Sequence, residues 1–392
     1  MARIREVIRD TDTPSWLSSV PRNFGDASAG NLKADEWRTM STVYLPISLV
    51  SLWGEGTSHR SPSVAASLRE VLDHTMALVS AVSLACARTM TSNRMLAYQN
   101  YITHWVGQLP LIHSNSRKRT NFHMAIHVYD FLRLFGPVRS WWSFPFERLV
   151  GQLQRLPHNH KFGIYHFSYD LVSCSISVVG ELEATMGASF IKAAKLRHWL
   201  ARPDCPEFLK ECKIVFDKAF GSEWNTSNSE TIAESAFRPV PNALEGIISE
   251  RRVALRARHK FDNAFFCRSS THVGNSLILF YPGGNRSETP VPGSIEYIVA
   301  KPNNDIVYVV RRQLPAPPGA LDPFRFYLHF PAKIYSPELS KQRQVIQPEW
   351  VFSHYARWNF DKDRAVVLTL SRVSLYLIYY HSIRCLQNNI QD

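Results

Sequence analysis

The spacing of apolar residues predicts helices in the first half of the chain. Between Ser63 and Met90, apolar side chains recur at intervals of three and four residues, which is the period of one helical face. The same period continues up to the Gly136-Pro137 pair, which should end a helix. The helices predicted in this way span residues 63–90, 95–107, 122–135, 146–156, 183–200 and 206–220.

The pattern changes in the last third of the chain. Short runs rich in Val, Ile, Tyr and Phe alternate there with Gly, Pro and Asn, which is typical of strands joined by turns. The strands expected from these runs span 276–281, 294–299, 306–311, 350–355 and 364–370. The chain is therefore predicted to be an α+β protein, with a multi-helical N-terminal region followed by a small β-barrel or sandwich.

These two patterns suggest a division of the chain. A helical region is expected over 1–221 and a β domain over 261–372, with a tail of doubtful origin over 373–392. Between the first two, residues 222–242 are polar and indicate a linker, and residues 243–260 are expected to form a helix with a basic end. Residues 222–260 are therefore predicted to form a polar linker followed by a basic helix.

The charge of the chain indicates contact with a polyanion. Its net charge is +12 and its pI is about 9.5, and basic side chains release counterions when they contact phosphates. We expect DNA as the partner, held through its backbone, since no helix-turn-helix or zinc-finger motif predicts base recognition. The alternative for these residues is a solvated basic face. The candidate DNA-binding residues are Arg117, Lys118, Arg119, Arg251, Arg252, Arg256, Arg258 and Lys260, with a further basic and aromatic run at His354–Trp358.

The remaining composition favours a reduced, soluble protein. The six cysteines are irregularly spaced, and the N-terminus lacks the apolar core of a signal peptide. The longest apolar run, Met76–Ala87, is shorter than the roughly 20 residues that span a bilayer. We therefore expect no membrane partner and a location in the nucleus or cytoplasm.

Two histidines one helical turn apart form a candidate metal site. His123 and His127 should share a helical face with Asp130, and such a face could bind a divalent metal. The alternative is a pair of polar core histidines bonded to neighbouring backbone, since a further ligand at a known spacing is missing.

The stretch 121–156 (NFHMAIHVYDFLRLFGPVRSWWSFPFERLVGQLQRL) combines this histidine pair with a Gly-Pro break, a Trp pair and a Phe-Pro-Phe-Glu-Arg run. It resembles the helical region downstream of the catalytic core in CACTA-type (Tnp2-like) transposases of basidiomycete fungi. Segments 14–54 and 181–221 are similar to the regions on either side of it. Segments 267–298 and 349–372 resemble the β-rich tail of the same family, so the resemblance covers most of the chain.

The resemblance implies a role in DNA transposition. Transposases with an RNase H-like core use three carboxylates to hold two divalent metals, and Glu147 resembles the third of these acids. The other two are expected before Met1. The chain would then be a C-terminal transposase region with a DNA-binding or assembly role, possible self-association and no catalysis by itself. No cofactor is expected in it; Mg²⁺ or Mn²⁺ would belong to the complete transposase.

Two alternatives are left open by the sequence. The first is a domesticated protein-binding or chromatin-binding module built on the β domain. The second is a complete metal-dependent nuclease that uses Glu147 together with the two histidines and Asp130. For Glu147 itself, the structural alternative is a helix-start acid paired with a nearby arginine.

Two segments depart from the family pattern. Residues 164–180 interrupt the resemblance, and the chain continues past Arg372 where the family tends to stop. Val373-Ser374 can be encoded by a splice-donor sequence, so our hypothesis is that both segments are intron sequence read through as protein. The alternative is a real loop insertion and a real C-terminal strand.

Overall fold

A computed structural model describes residues 1–115, 119–143, 236–262 and 264–370, together with isolated positions between 164 and 209. Within these residues the protein is α+β, with helices in the N-terminal part and a β-barrel in the C-terminal part, as the sequence predicts. Several predicted segments lie wholly or largely outside the described residues. They are the helices over 146–156, 183–200 and 206–220, most of the linker 222–242 and the tail 373–392.

The N-terminal helices follow one another closely. They are α1 (Ala2–Asp10), α2 (Ala34–Thr39), α3 (Leu45–Trp53), α4 (Pro62–Ala85), α5 (Ser92–Ile112) and α6 (Thr120–Phe135). Helices α4, α5 and α6 confirm the three predictions made for this part of the chain. Helix α6 ends at Gly136, whose φ of 74° lies in the left-handed region that glycine adopts without strain.

A π-helical segment, Met40–Tyr44, joins α2 to α3. Pro46 stands at the start of α3 and lacks the N–H that would bond to the carbonyl four residues earlier. The wider turn before Pro46 is a common way to accommodate such a missing bond.

The barrel is built from antiparallel pairings. Its strands and their neighbours are β3 (Arg238–Pro239), β4 (Arg252–Arg256), β5 (Arg258–Phe261), β6 (Ala264–Cys267), β7 (Leu277–Phe280), β8 (Val291–Ala300), β9 (Ile306–Pro315), β10 (Ala332–Ile346), β11 (Val351–Asn359) and β12 (Ala365–Thr369). Within the described residues, six of them close a ring in the order β8-β7-β11-β12-β10-β9, because β9 also pairs with β8. Strand β4 adds to the outside of β8, and β5 pairs with β6 as a separate hairpin.

The 15-residue strand β10 was not predicted. Its sequence AKIYSPELSKQRQVI is mostly polar and contains Pro337, which removes a ladder hydrogen bond. The structure accommodates this strand by two register shifts against β9, between Tyr335 and Leu339 and between Leu339 and Arg343. Because of these irregularities, apolar and polar residues do not alternate along β10, and the sequence shows no strand pattern there.

The predicted helix over 243–260 is wrong. A 3-10 turn at Asn242–Leu244 is followed by the strands β4 and β5. The two central residues of β4, Val253 and Ala254, are buried, since this strand pairs with β3 and β8. Tertiary pairing therefore outweighs the helical propensity of the Ala, Leu and Arg residues in this segment.

The early helices and the barrel share one hydrophobic core. Val7 of α1, Ile47 of α3 and Leu72 of α4 are fully buried in the same cluster as Trp358 and Val366 of the barrel. Met1–Trp141 and Thr231–Asp392 accordingly belong to one compact unit. This shared core crosses the predicted boundary between a helical region 1–221 and a β domain 261–372. Strands β11 and β12 contribute Trp358 and Val366 to the same core as the N-terminal helices.

A second compact unit spans Trp142–Glu230. Its described residues include two short antiparallel strands, β1 (Ile164–Tyr165) and β2 (Val178–Val179), at the two ends of the segment 164–180. The residues between them lie outside the described part of the chain, and the intron hypothesis stays a prediction.

Candidate nucleic-acid interface

Four arginines from different elements line one cleft beside the barrel. Arg38 comes from α2, Arg88 from the α4–α5 loop, Arg94 from the first turn of α5, and Arg139 from the 3-10 turn after α6. The cleft has a volume of about 540 Å³ and is called the arginine cleft below. Among the described residues that line it, none carries a carboxylate. The cleft therefore combines several positive side chains with a concave shape, and of these Arg38 is paired with Asp35 outside the lining.

Local hydrogen bonds hold two of these arginines in place. The Arg38 guanidinium donates to Asp35 Oδ1 at 2.6 and 3.0 Å, one turn earlier on α2. Arg94 Nη1 donates to both the carbonyl oxygen and the hydroxyl of Thr89, at 2.7 and 2.6 Å. Arg94 also donates its backbone N–H to the side chain of Thr91, which caps α5. The start of α5 is thus fixed together with its arginine.

The guanidinium of Arg139 is largely buried, with Nε and Nη1 removed from solvent. Burial lowers its pKa to about 10, and the nearby charges of Arg38 and Arg88 act in the same direction. A guanidinium with this pKa is still protonated at neutral pH. The like charges repel one another, and a bound anion would relieve this repulsion while regaining solvation for Arg139.

His329 and exposed apolar residues complete the cleft. Burial and the charge of Arg94 lower the pKa of His329, so its imidazole is neutral at pH 7 and adds no further charge. Leu328 next to it is 83% exposed, and Phe352 at the opening is 41% exposed. The cleft thus places apolar contacts beside its charges.

Most of the basic residues predicted from the sequence lie elsewhere. Arg117 and Lys118 fall outside the described residues, and Arg119 is exposed just before α6. Arg251, Arg252 and Arg256 lie at or within β4, where Arg252 donates to the carbonyl oxygen of Phe237 at 2.6 Å. None of these described residues lines the arginine cleft.

The strand β5 carries the last two predicted basic residues. Arg258 and Lys260 alternate along it, and the Lys260 ammonium lies 5.8 Å from the ring centre of Phe265 in the paired strand. The strand then ends at Phe261, which with Asp262 lines a second cleft. The two charges are therefore carried by a strand that ends at a cleft, and not by the predicted helix.

The basic and aromatic run at 354–358 is mainly structural. Tyr355 and Trp358 are buried in the barrel, and Arg357 pairs with Asp12 at 3.0 Å. The backbones of Asp12 and Arg357 also bond to each other. Of this run, His354 and no other residue lines a described cleft.

The predicted metal residues are only partly brought together. The Nε2 atoms of His123 and His127 lie 3.1 Å apart, and Nδ1 of His127 is 3.3 Å from Asp130 Oδ2. Asp130 thus contacts the ring nitrogen that faces away from His123, where it can orient the imidazole but cannot share a metal with both histidines. In the described ranges, no three His, Cys, Asp or Glu side chains are grouped to hold a metal ion.

Glu147, the predicted third catalytic acid, lies outside the described residues. Sequence reasoning instead missed the four cleft arginines, because they are spread from residue 38 to residue 139 and only the fold collects them. A local signal did exist at Arg88-Thr-Met-Thr-Ser-Asn-Arg94, where two arginines flank the cap of a helix.

No described helix has both the length and the apolar character needed to cross a membrane. Comparisons of the chain with protein-family models, with curated proteins and with solved structures found no match.

Proposed function

We propose that this chain is a DNA-binding protein related to CACTA-type transposases, and that the arginine cleft holds the DNA backbone. The cleft itself carries the proposal. It gathers Arg38, Arg88, Arg94 and Arg139 around a space with no acidic side chain among its described lining residues. Arginines in this arrangement can donate several hydrogen bonds to phosphate oxygens, and each contact releases counterions.

The net charge of +12 supports the same proposal at long range, because it attracts a polyanion before contact is made. The resemblance of 14–54, 121–156 and 181–221 to the region that follows a transposase core supports a role in DNA binding or assembly. The proposal assigns no catalytic step to the chain. Mg²⁺- or Mn²⁺-dependent nicking that Glu147→Ala abolishes would overturn that part of it.

The decisive test removes charge from the cleft. Arg88 is exposed and forms no ion pair in the described part of the chain, so Arg88→Ala should leave the fold intact. We expect the affinity for a duplex of mixed sequence to fall and the plot of log K against log salt to flatten by roughly 0.9 per lost phosphate contact. Fluorescence anisotropy over a salt series measures both quantities.

A matched control is Arg22→Ala, since Arg22 is also exposed but lines neither cleft. It should leave the salt slope unchanged. Equal effects of the two substitutions would show that net charge alone drives binding. An absence of binding by the wild-type chain at low salt would remove the DNA-binding proposal and favour the protein-binding alternative.

A further inference from the structure

A second cleft, with five aromatic side chains among its twelve described lining residues, lies next to the arginine cleft. It has a volume of about 690 Å³ and lies between the β5–β6 hairpin, the end of β7 and the start of β11. It is called the aromatic cleft below. Its aromatic lining residues are Phe261, Phe266, Tyr281, Phe352 and His354.

The aromatic rings form a layered wall. Phe266 stacks on His354 with centroids 4.7 Å apart and an interplanar angle of 11°. Nearer to solvent, the rings of Tyr281 and Phe352 meet edge to face, with centroids 5.7 Å apart. Phe352 is 41% exposed, so one large apolar ring stays uncovered at the mouth of the cleft. Such an exposed ring next to a cavity can stack with a planar ligand.

The two clefts adjoin, because Arg88, Phe352 and Ser353 line both of them. A ligand that crosses this boundary would meet phosphate-binding groups on one side and aromatic rings on the other. The charges are distributed in the same way. The arginine cleft has no acidic lining residue among those described, whereas the aromatic cleft balances Arg88 and Arg286 with Asp262 and Glu349. Phosphates are therefore favoured in the first cleft and an uncharged ring in the second.

Duplex DNA cannot use the aromatic cleft, because its bases are stacked on each other and show no free face. Unpaired DNA exposes both its phosphates and its base faces, and a cationic groove with aromatic rings is the general solution for binding it. We infer that the two clefts together bind a stretch of unpaired DNA, with a base against Phe352 and the adjoining phosphates at Arg88. This inference rests on the proposed function, and it names the form of DNA that the site prefers.

The test compares the full chain on a labelled oligonucleotide of about 20 bases, free of self-complementarity, with the same sequence as a duplex. We expect the single strand to bind roughly tenfold more tightly than the duplex, because stacking on one base adds to the phosphate contacts. Phe352→Ala should remove roughly that tenfold gain and leave duplex binding unchanged. Phe352→Trp should keep the gain.

The control is Phe326→Ala, since Phe326 is 54% exposed but lines neither cleft. It should change neither affinity. Arg88→Ala should weaken single strand and duplex alike, which separates the phosphate contacts from the stacking contact.

Several results would overturn the inference. If the wild-type chain bound single strand and duplex equally tightly, the inference would be overturned, but the proposed DNA binding would still stand. Loss of duplex binding in Phe352→Ala would show a structural role for this ring. Full competition by a free mononucleotide would indicate a small-ligand site, and much tighter binding of an RNA of the same sequence would indicate RNA as the partner. If neither DNA form bound, the proposed function would fail as well.

Discussion

A neutral histidine on the β5–β6 hairpin, packed against a barrel tyrosine, shows how single residues set the chemistry of this fold. The Nδ1 atom of His259 lies 2.8 Å from the hydroxyl of Tyr308, which is fully buried. Burial raises the pKa of Tyr308 well above its ordinary value, so its hydroxyl stays protonated beside the imidazole. Burial and then the charge of Arg256 lower the pKa of His259 to about 4. Both groups are therefore neutral at physiological pH.

This pair predicts a loss of stability in mild acid. The unfolded chain binds a proton at His259 near pH 6.5, but the folded chain binds it only near pH 4. The contribution of His259 to the free energy of unfolding is thus fully present above pH 6.5 and is lost as the pH falls towards 4. We expect the free energy of unfolding to fall by on the order of 2 kcal/mol from this group. Urea unfolding at pH 7 and pH 4.5 measures it, and His259→Gln should show a smaller difference than wild type. An equal pH dependence in both proteins would contradict this assignment.

The cleft arginines mark the limit of prediction at the residue scale. The composition indicates a polyanion partner, but it does not say which of the 45 basic residues would form a site. The predicted DNA-binding residues were those that cluster in the sequence, such as 251–260. The structure instead gathers Arg38, Arg88 and Arg139 from separate elements. Apart from the Arg88 and Arg94 pair at the start of α5, a site built from distant residues leaves no local pattern, because contacts between distant segments form only on folding.

At the scale of elements, the sequence pattern identified the long helices and the apolar strands of the barrel. Helix α4 runs for 24 residues with a regular apolar face, which gives a strong signal. The structure confirms all five predicted strands in β7, β8, β9, β11 and β12, since buried barrel strands are rich in β-branched and aromatic residues. The predictions were 276–281, 294–299, 306–311, 350–355 and 364–370. The polar strand β10 and the Arg-rich β4 give no such signal, and their pairing partners decide their conformation.

The shared core predicts that helices and barrel unfold together. Ile47 of α3 is fully buried in the same cluster as Trp358 of the barrel. Ile47→Ala should therefore cost about 2–5 kcal/mol, because it leaves a cavity between the two layers. Hydrogen exchange should show weaker protection in β12 as well as in α3. The control Leu111→Ala, at a position that is 75% exposed, should change stability by no more than about 0.5 kcal/mol. Loss of protection confined to the helices would show that the barrel is stable by itself.

At the scale of the whole molecule, charge and shape both support the proposed contact with a polyanion. The +12 charge would attract any polyanion, and by itself it specifies neither a site nor a sequence. The fold adds a candidate binding site, since it places the arginine cleft and the aromatic cleft side by side on one compact unit. The basic segment 251–260, which holds β4 and most of β5, leads along the chain to Phe261 at the aromatic cleft, so a bound strand could extend along it.

The last prediction concerns this extension. Arg251 and Arg258 are exposed and form no ion pair in the part of the chain that the structure describes. If the bound DNA continues past the aromatic cleft, the double substitution Arg251→Ala/Arg258→Ala should flatten the salt slope by up to about 1.8, from roughly 0.9 per contact. It should weaken all DNA sequences alike, because phosphate contacts carry no sequence information. Anisotropy titrations with two unrelated sequences at several salt concentrations measure both effects. A slope equal to that of wild type would show that these arginines form a solvated face, and the DNA path would then be confined to the two clefts.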